Sequence, residues 1–228
     1  MKKEDFISLL PELVANYKPQ DAVLDKIAKI ELLMIIGPSA VGKTTLINRL
    51  GMPYVPSDTT RASREGEVEG KDFYFLDDYD QVVADIQAGK FVQVAIGSAG
   101  DFFATRSSYY PPKGIAVMAV LADAVPVFRQ LGFAKTISAF IVRADFAAWL
   151  KDLKQREAEA KKLQKRIAEA KRSFKFALND SSTHFILNDK IEGALTQLKE
   201  LVAGKANRQR EAEAKRIAQE INLKLLNL

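Results

Sequence analysis

A glycine-bounded loop between an apolar strand and a helix constrains this chain more than any other feature. The loop runs from Gly37 to Thr44 with the spacing Gly-x-x-x-x-Gly-Lys-Thr, and the apolar residues 31–36 precede it. Strand, loop and helix in this order are the context in which the spacing marks a phosphate-binding loop. A chance glycine-rich turn is the alternative, but it explains neither the strand nor the helix. We therefore predict that the chain binds a nucleoside triphosphate or descends from a chain that bound one.

Each residue type in the loop has a chemical reason to be there. Gly37 and Gly42 let the backbone turn consecutive N–H groups toward one phosphate, and the helix that starts at Lys43 adds the positive end of its dipole. The Lys43 ammonium reaches the β- and γ-phosphates, while the Thr44 hydroxyl is a ligand for Mg²⁺, the predicted cofactor. The residues predicted to hold the triphosphate are Gly37, Ser39, Ala40, Val41, Gly42, Lys43, Thr44 and Thr45.

The composition is that of an ordinary globular protein and excludes several classes. The 228 residues are 47% hydrophobic and 28% charged, with no cysteine and therefore no disulfide framework or thiolate metal site. No apolar run is long enough to span a membrane, and the N-terminus, Met-Lys-Lys-Glu-Asp-Phe-Ile, carries acidic residues and lacks the apolar core of a signal peptide. The net charge of +5 is compatible with nucleic acid or a membrane surface, but the basic residues alternate with acidic ones as on solvated helices. We expect a cytoplasmic protein that binds neither a nucleic acid polymer nor a membrane.

Strands alternate with helices along the chain, which predicts an α/β fold with a parallel sheet. Buried strands are predicted at 31–36, 115–121 and 136–142, where the residues are almost all apolar. Helices are predicted at 4–18, 21–30, 43–50, 78–89, 126–131, 145–178 and 190–202, and in the tail after Gly204.

The segment from Ser57 to Phe75 carries a long and unusual pattern. It reads Ser-Asp-Thr-Thr-Arg-Ala-Ser-Arg-Glu-Gly-Glu-Val-Glu-Gly-Lys-Asp-Phe-Tyr-Phe. This closely resembles the nucleotide-acceptor segment of guanylate kinases, Ser-x-Thr-Thr-Arg-x-x-Arg-x-Gly-Glu-x-x-Gly-x-x-Tyr-x-Phe. The charged helix at 145–172 resembles the lid of that family, and Asn188 with Asp189 resembles its adenine-side element.

The resemblance implies a P-loop NTPase fold with a parallel-sheet core, an acceptor-binding insertion and a helical lid. The implied guanylate-kinase-like domain covers 31–203, and helical extensions at 1–30 and 204–228 flank it. We expect the apolar face of the last helix to pack on the core or to pair with a second chain. The implied parts are a core of 31–53, 106–145 and 173–203, an acceptor-binding part of 54–105 and a lid of 146–172.

The resemblance also implies a reaction, the transfer of the γ-phosphoryl group of ATP to GMP or dGMP. Such a transfer depends on positioning and charge neutralisation. Arg61 and Arg64 match the two arginines that grip the acceptor phosphate, and Arg156 and Arg166 match lid arginines, for which a solvated helix face is the alternative. The implied catalytic residues are Lys43, Arg61, Arg156 and Arg166. Asn188 joins the ATP site, and the implied acceptor residues are Ser57, Arg61, Arg64, Glu67, Phe73, Gln93, Phe103 and Thr105.

Five positions depart from the family pattern, and all of them belong to acceptor recognition or its surroundings. Phe73 and Phe103 stand where tyrosine hydroxyls bond the acceptor phosphate, and each loss amounts to about 1.5–3 kcal/mol. Gln93 replaces a glutamate that reads guanine, and an amide offers one acceptor and one donor where a carboxylate offers two acceptors. Ala119 and Leu121 replace an Asp-x-Asp pair that supports base and metal.

Three functions follow from this pattern. The first is an ATP-dependent kinase for GMP or dGMP. The second keeps the chemistry but changes the acceptor to a modified nucleotide or a sugar phosphate, because lost base contacts relax or redirect specificity. The third is a non-catalytic interaction module, against which the complete phosphate loop argues.

Overall fold

The computed structural model of the chain describes residues 1–64, 66–97, 100–156 and 159–228. The chain divides into two compact units. The first unit comprises residues 1–32, 53–116 and 126–135, and the second comprises residues 33–52, 117–125 and 136–228.

The first unit is built on a four-stranded sheet whose strands are mostly short. Its elements are α1 (Lys3–Ala15), α2 (Asp21–Ile27), β2 (Ser57–Thr59), β3 (Phe73–Phe75), α4 (Tyr79–Gln87), β4 (Phe91–Ile96), β5 (Phe102–Arg106) and α5 (Val125–Gln130). The strand order is β3-β2-β5-β4; β2 runs parallel to β3 and antiparallel to β5, which is also antiparallel to β4.

One face of this sheet is covered by the N-terminal helix. Phe6 and Leu10 of α1 are fully buried and pack in one apolar cluster with residues of α4, β4 and β5, among them Ile86, Val94 and Phe102. The helix places these two side chains on one stripe because residues four positions apart lie on the same face. The N-terminal helix is therefore part of the core of the first unit.

The second unit holds the phosphate loop and the larger helices. Its elements are α3 (Lys43–Leu50), β7 (Lys135–Val142), α6 (Phe146–Arg156), α7 (Ala160–Asn179), β8 (Thr183–Leu187), α8 (Ile191–Val202) and α9 (Arg208–Leu226). Two further strands, β1 (Ile30–Ile36) and β6 (Gly114–Ala119), cross the boundary between the units along the chain, and the first residue of β7 also belongs to the first unit. The sheet has the order β6-β1-β7-β8, and β7 and β8 are parallel.

The C-terminal helix α9 lies on β8 and α7. Ala214, Ala218, Ile221 and Leu225 are its buried residues, and their spacing forms one apolar stripe along the helix. His184 of β8 is bonded through Nδ1 to the Glu211 carboxylate at 2.9 Å. The single histidine thus has a structural partner, and α9 packs on the core of its unit.

The predicted α/β class with its parallel sheet is confirmed, and most predicted elements lie within a few residues of the observed ones. Two predictions of helix extent are wrong. The helix predicted at 4–18 ends at Ala15, because the Tyr17 hydroxyl turns to the carbonyl of Phe91 and the N–H of Gln20 bonds Gly89. The single helix predicted at 145–178 is two helices, α6 and α7.

Replacement of Leu10 by Ala tests the contribution of α1 to the first unit. Leu10 is fully buried, so the change leaves a cavity and we expect a loss of about 2–5 kcal/mol in unfolding free energy. Leu9→Ala is the matched control, because Leu9 is 41% exposed and its loss costs less than about 0.5 kcal/mol. Urea titration measures both, and equal effects of the two variants would contradict the placement of α1.

Candidate active site

The phosphate loop has the backbone that phosphate binding requires. Gly37 and Gly42 have φ angles of +140° and +94°, which side-chain-bearing residues rarely adopt. Ala40, at φ +67°, is the one non-glycine residue with positive φ among the described residues. Gly42 also precedes the first turn of α3, so the loop ends at the positive end of that helix.

Donors from the second unit hold the carbonyl groups of the loop. The Lys43 ammonium donates to the carbonyls of Gly37 and Pro38 at 2.5 and 2.8 Å. The indole N–H of Trp149 donates to Ser39 O at 2.8 Å, and the amide of Asn188 donates to Val41 O at 2.8 Å. Because these four carbonyls are bonded within the protein, the N–H groups are what the loop contributes to a bound phosphate.

Desolvation of the Lys43 ammonium lowers its pKa from 10.5 to about 8. The Glu169 carboxylate opposes this shift, whereas Arg166 and Arg156 add to it by repulsion. A phosphate ligand would stabilise the charged form of this ammonium, because the negative charge of the ligand offsets the desolvation and the repulsion by the two arginines. The structure thus places both predicted lid arginines within electrostatic reach of the predicted donor lysine.

Arg166 is held in α7 by an acidic neighbour that the sequence reasoning missed. Its guanidinium bonds the Glu169 carboxylate at 2.7 Å, and both side chains are less than 20% exposed. The spacing of three residues on a helix is the signal that identifies such a pair. Arg156 ends α6 and is exposed.

The loop also fits a nucleotide-bound magnesium ion. Thr44 lies in the first turn of α3 and is exposed. The described residues contain no cluster of three His, Cys, Asp or Glu side chains that would form a metal cage. Mg²⁺ commonly takes one or two protein oxygens and completes its shell with phosphate oxygens and water. One hydroxyl beside the loop is therefore adequate for an ion that binds together with a nucleotide.

The sheet of the first unit places the predicted acceptor residues of its strands on one face. The register pairs Ser57 with Phe73 and Gln93 with Thr105, and it pairs Phe103 with both neighbouring strands. Laterally paired residues share a face, and alternate residues along a strand return to it. This acceptor face consists of Ser57, Thr59, Phe73, Phe75, Gln93, Ala95, Phe103 and Thr105.

Arg61 is fixed beside the acceptor face by charge and by aromatic rings. Its guanidinium forms a two-pronged pair with the Glu67 carboxylate at 2.6 and 2.7 Å, and it lies 4.4 Å from the ring centroid of Phe73. Burial alone would raise the pKa of the Glu67 carboxyl, but the bonds from Arg61 and from the Arg64 N–H lower it below its ordinary value. The pair is therefore charged at neutral pH. Arg64 itself is exposed.

The residues that depart from the family pattern make local contacts. The Phe73 and Phe103 rings contact each other at a centroid distance of 6.2 Å. Gln93 is only 6% exposed, and its amide donates to Val94 O at 2.5 Å. The hydroxyl of Thr105 bonds that of Tyr110 at 3.2 Å. The acceptor face is thus more apolar, and less negative at Gln93, than the family pattern implies.

Comparisons with known proteins agree on one family. The family model described as guanylate kinase matches residues 29–205. The guanylate kinase of Trichormus variabilis is 30% identical over 189 residues, which cover 76% of this chain and 90% of that protein. Guanylate kinase 2, chloroplastic/mitochondrial, of rice (Oryza sativa subsp. japonica) is 29% identical over 180 residues, which cover 75% of this chain but 63% of the rice protein.

A solved structure shares the fold. The crystal structure of guanylate kinase from Anaplasma phagocytophilum matches with a TM-score of 0.56 at 20% identity, and the match covers 85% of this chain and 95% of the other. Together with the phosphate loop, this match defines the chain as a protein of the P-loop NTPase fold. Because the family model covers most of its length, the chain belongs to the guanylate kinase family. No helix among the described residues is long and apolar enough to cross a membrane.

Replacement of Gly42 by Ala tests the geometry of the loop. A Cβ at Gly42 would lie 2.5 Å from Asn188 Nδ2, and the positive φ adds a backbone cost of about 1–2 kcal/mol. Gly51→Ala is the control, because Gly51 has a φ of +74° and no atom within 4 Å of the added carbon. We expect both variants to unfold at lower urea, Gly42→Ala at the lowest, and only Gly42→Ala to lose ATP affinity in calorimetry. Unchanged ATP affinity in Gly42→Ala would contradict the assignment.

Proposed function

We propose that the chain transfers the γ-phosphoryl group of ATP to GMP or dGMP. As a member of the guanylate kinase family, the chain is a nucleoside-monophosphate kinase, and the phosphate loop with its lysine is the observation that carries the proposal. Transfer to a monophosphate needs one site for the triphosphate and a second for the acceptor. The phosphate loop in the second unit and the acceptor face in the first unit are the two candidates.

On the donor side, the loop N–H groups and Lys43 hold the β- and γ-phosphates. Lys43 exchanges its two carbonyl bonds for phosphate oxygens, which favours the bound state because the ammonium is already desolvated. Arg156 and Arg166 stabilise the charge on the transferring group. Asn188 holds the loop through Val41 and thereby supports the ATP site.

Thr44 would hold Mg²⁺ with the nucleotide, and the ion, when bound, supplies charge neutralisation on the phosphate oxygens. The residues of the chain supply position. Trp149 keeps α6 on the loop through its bond to Ser39. The lid helices exclude water, which would otherwise compete with the acceptor.

On the acceptor side, Arg61 and Arg64 bind the monophosphate. The guanidinium of Arg61 is planar, and the rings beneath it hold its plane in place, so that it meets a phosphate in a defined orientation. Glu67 competes with the phosphate for the same guanidinium, and therefore sets the affinity. Ser57, Gln93 and Thr105 contact the base.

A second candidate function is the same transfer to a changed acceptor, a modified nucleotide or a sugar phosphate. The observation that favours it is the amide of Gln93, which donates one N–H to Val94 O and has a single oxygen with which to accept from a base. Guanine offers two adjacent donors, and only one of them is satisfied by a single acceptor.

The remaining expectations stay predictions. They are the cytoplasmic location, the pairing of chains through the terminal helices, and the boundaries of the core, the acceptor-binding part and the lid.

The function is tested by ADP release from Mg²⁺-ATP with a panel of ribo- and deoxynucleoside monophosphates. We expect turnover with GMP or dGMP. Lys43→Met should lower kcat by about 10²–10³-fold, because the variant loses a charge that stabilises the transition state.

Lys113→Met is the control for that variant, because the Lys113 side chain is exposed and lies away from the loop in sequence. Turnover with another monophosphate alone would favour the changed acceptor. The absence of ADP release with every member of the panel would overturn the proposed function.

The pH dependence of ATP binding tests the state of Lys43. Its pKa of about 8 in the free protein means that the ammonium is present below pH 8 and is lost above it. Bound phosphates favour the charged form and raise this pKa, so that ATP binding above pH 8 takes up a proton and weakens by up to about tenfold per pH unit. Calorimetry at pH 8.5 in two buffers of different ionisation enthalpy measures the uptake.

Lys43→Arg is the control for that experiment, because arginine stays charged throughout the range. We expect no proton uptake in this variant. Equal uptake in Lys43→Arg and in the parent protein would show that another group titrates.

A further inference from the structure

A buried ion network lies on the face of the first sheet opposite to the acceptor face. Asp58 of β2 is fully buried, and its carboxylate accepts bonds from Arg106 Nε at 2.9 Å and from the Tyr109 hydroxyl at 2.5 Å. Arg106, the last residue of β5, also donates to Asp85 of α4 at 2.8 Å. One guanidinium therefore joins two carboxylates that come from a strand and a helix.

Both carboxylates of the network have cationic partners and accept hydrogen bonds on each of their oxygens. Asp85 is 4% exposed and also accepts from Lys90 and from Gln81, each at 2.8 Å. Two carboxylates thus face two cations. Burial raises the pKa of Asp58, and the bonds of Tyr109 and Arg106 oppose that rise.

A network of this kind is not needed for stability alone. Buried ion pairs often contribute no more to stability than apolar side chains of the same shape, because desolvation offsets their attraction. What a fully bonded network supplies is a fixed geometry, since each carboxylate oxygen has a preferred partner. Arg106 is well suited to this role because its planar fork also lies 4.4 Å from the ring centroid of Phe91.

The members of the network are direct chain neighbours of the acceptor face. Asp58 lies between Ser57 and Thr59, and Arg106 follows Thr105. Asp58 pairs with Ala104 across β2 and β5, so that a shift at Asp58 moves the residues on either side of it. Side chains alternate between the two faces of a sheet. The network on one face therefore holds in place the same strands that carry the acceptor residues on the other face.

We propose that Arg106 is a positioning residue for the acceptor, because it locks β2 and β5 to α4 through Asp58 and Asp85. The inference rests on the proposed function, since it assigns the acceptor to this sheet. Arg106 acts through the strands and does not touch the phosphoryl group. Its loss is expected to weaken acceptor binding and to leave ATP binding in the second unit unchanged.

Arg106→Lys is the test variant. It keeps the charge and so avoids two unpaired buried carboxylates, but a point ammonium has no fixed fork with which to hold both. The Michaelis constants for GMP and ATP and the urea midpoint are measured for the variant and its parent. Arg216→Lys is the matched control, because Arg216 pairs with Glu220 on the exposed surface of α9.

We expect the KM for GMP to rise by about tenfold in Arg106→Lys, within the range of up to about a hundredfold that a misplaced contact costs, while the KM for ATP changes less than about twofold. Arg216→Lys should change neither. An unchanged KM for GMP, or an equal rise in both constants, would overturn the positioning role while the parent's turnover leaves the proposed function standing. No turnover by the parent with GMP or dGMP would overturn the proposed function, and this inference with it.

Tyr109→Phe gives a second measurement if Arg106→Lys folds poorly. It removes one bond to Asp58 and keeps the ring, which stacks on Tyr74 at a centroid distance of 4.6 Å. The same selective rise in the KM for GMP, smaller in size, supports the proposal. A lower urea midpoint with unchanged KM values would contradict it.

Discussion

The phosphate loop is held by bonds from side chains to its carbonyl groups, and these bonds come from three parts of the second unit. Lys43, Trp149 and Asn188 come from α3, from α6 and from the end of β8, and each is bonded to the loop. The backbone of the loop requires glycine at two positions, because φ is positive at Gly37 and Gly42. The bonds of Trp149 and Asn188 connect α6 and the end of β8 directly to this loop.

Because side chains alternate along the strands, the two faces of the small sheet in the first unit make different contacts. One face of the small sheet carries Phe73, Phe103 and the residues assigned to the acceptor, and the other packs on α1 and α4 around the network of Asp58. Arg61 is bonded to Glu67 and lies against the ring of Phe73, a position at which the family pattern has a tyrosine whose hydroxyl bonds the acceptor phosphate.

The sequence predicted much of the fold because its signals are local. Apolar runs marked β1 and β7, and the loop motif marked the start of α3 at Lys43, since a strand, a glycine turn and a helix are all written within a few residues. The helix predicted to reach residue 18 stops at Ala15 because Tyr17 and Gln20 bond residues more than sixty positions away. A short stretch of sequence around residue 18 does not include the residues that accept these bonds.

For the candidate site, the limits of sequence reasoning have the same origin. The positions of Arg61, Arg64 and Lys43 follow from motifs, but the network of Asp58, Arg106 and Asp85 has no motif because its members are 21 to 48 positions apart in sequence. By itself the sequence determined the class of fold and the chemistry of the loop, because both depend on residue types at short, fixed spacings. Only the tertiary structure decided which charges are buried together and which strands share a face, because register and burial arise from contacts between distant segments.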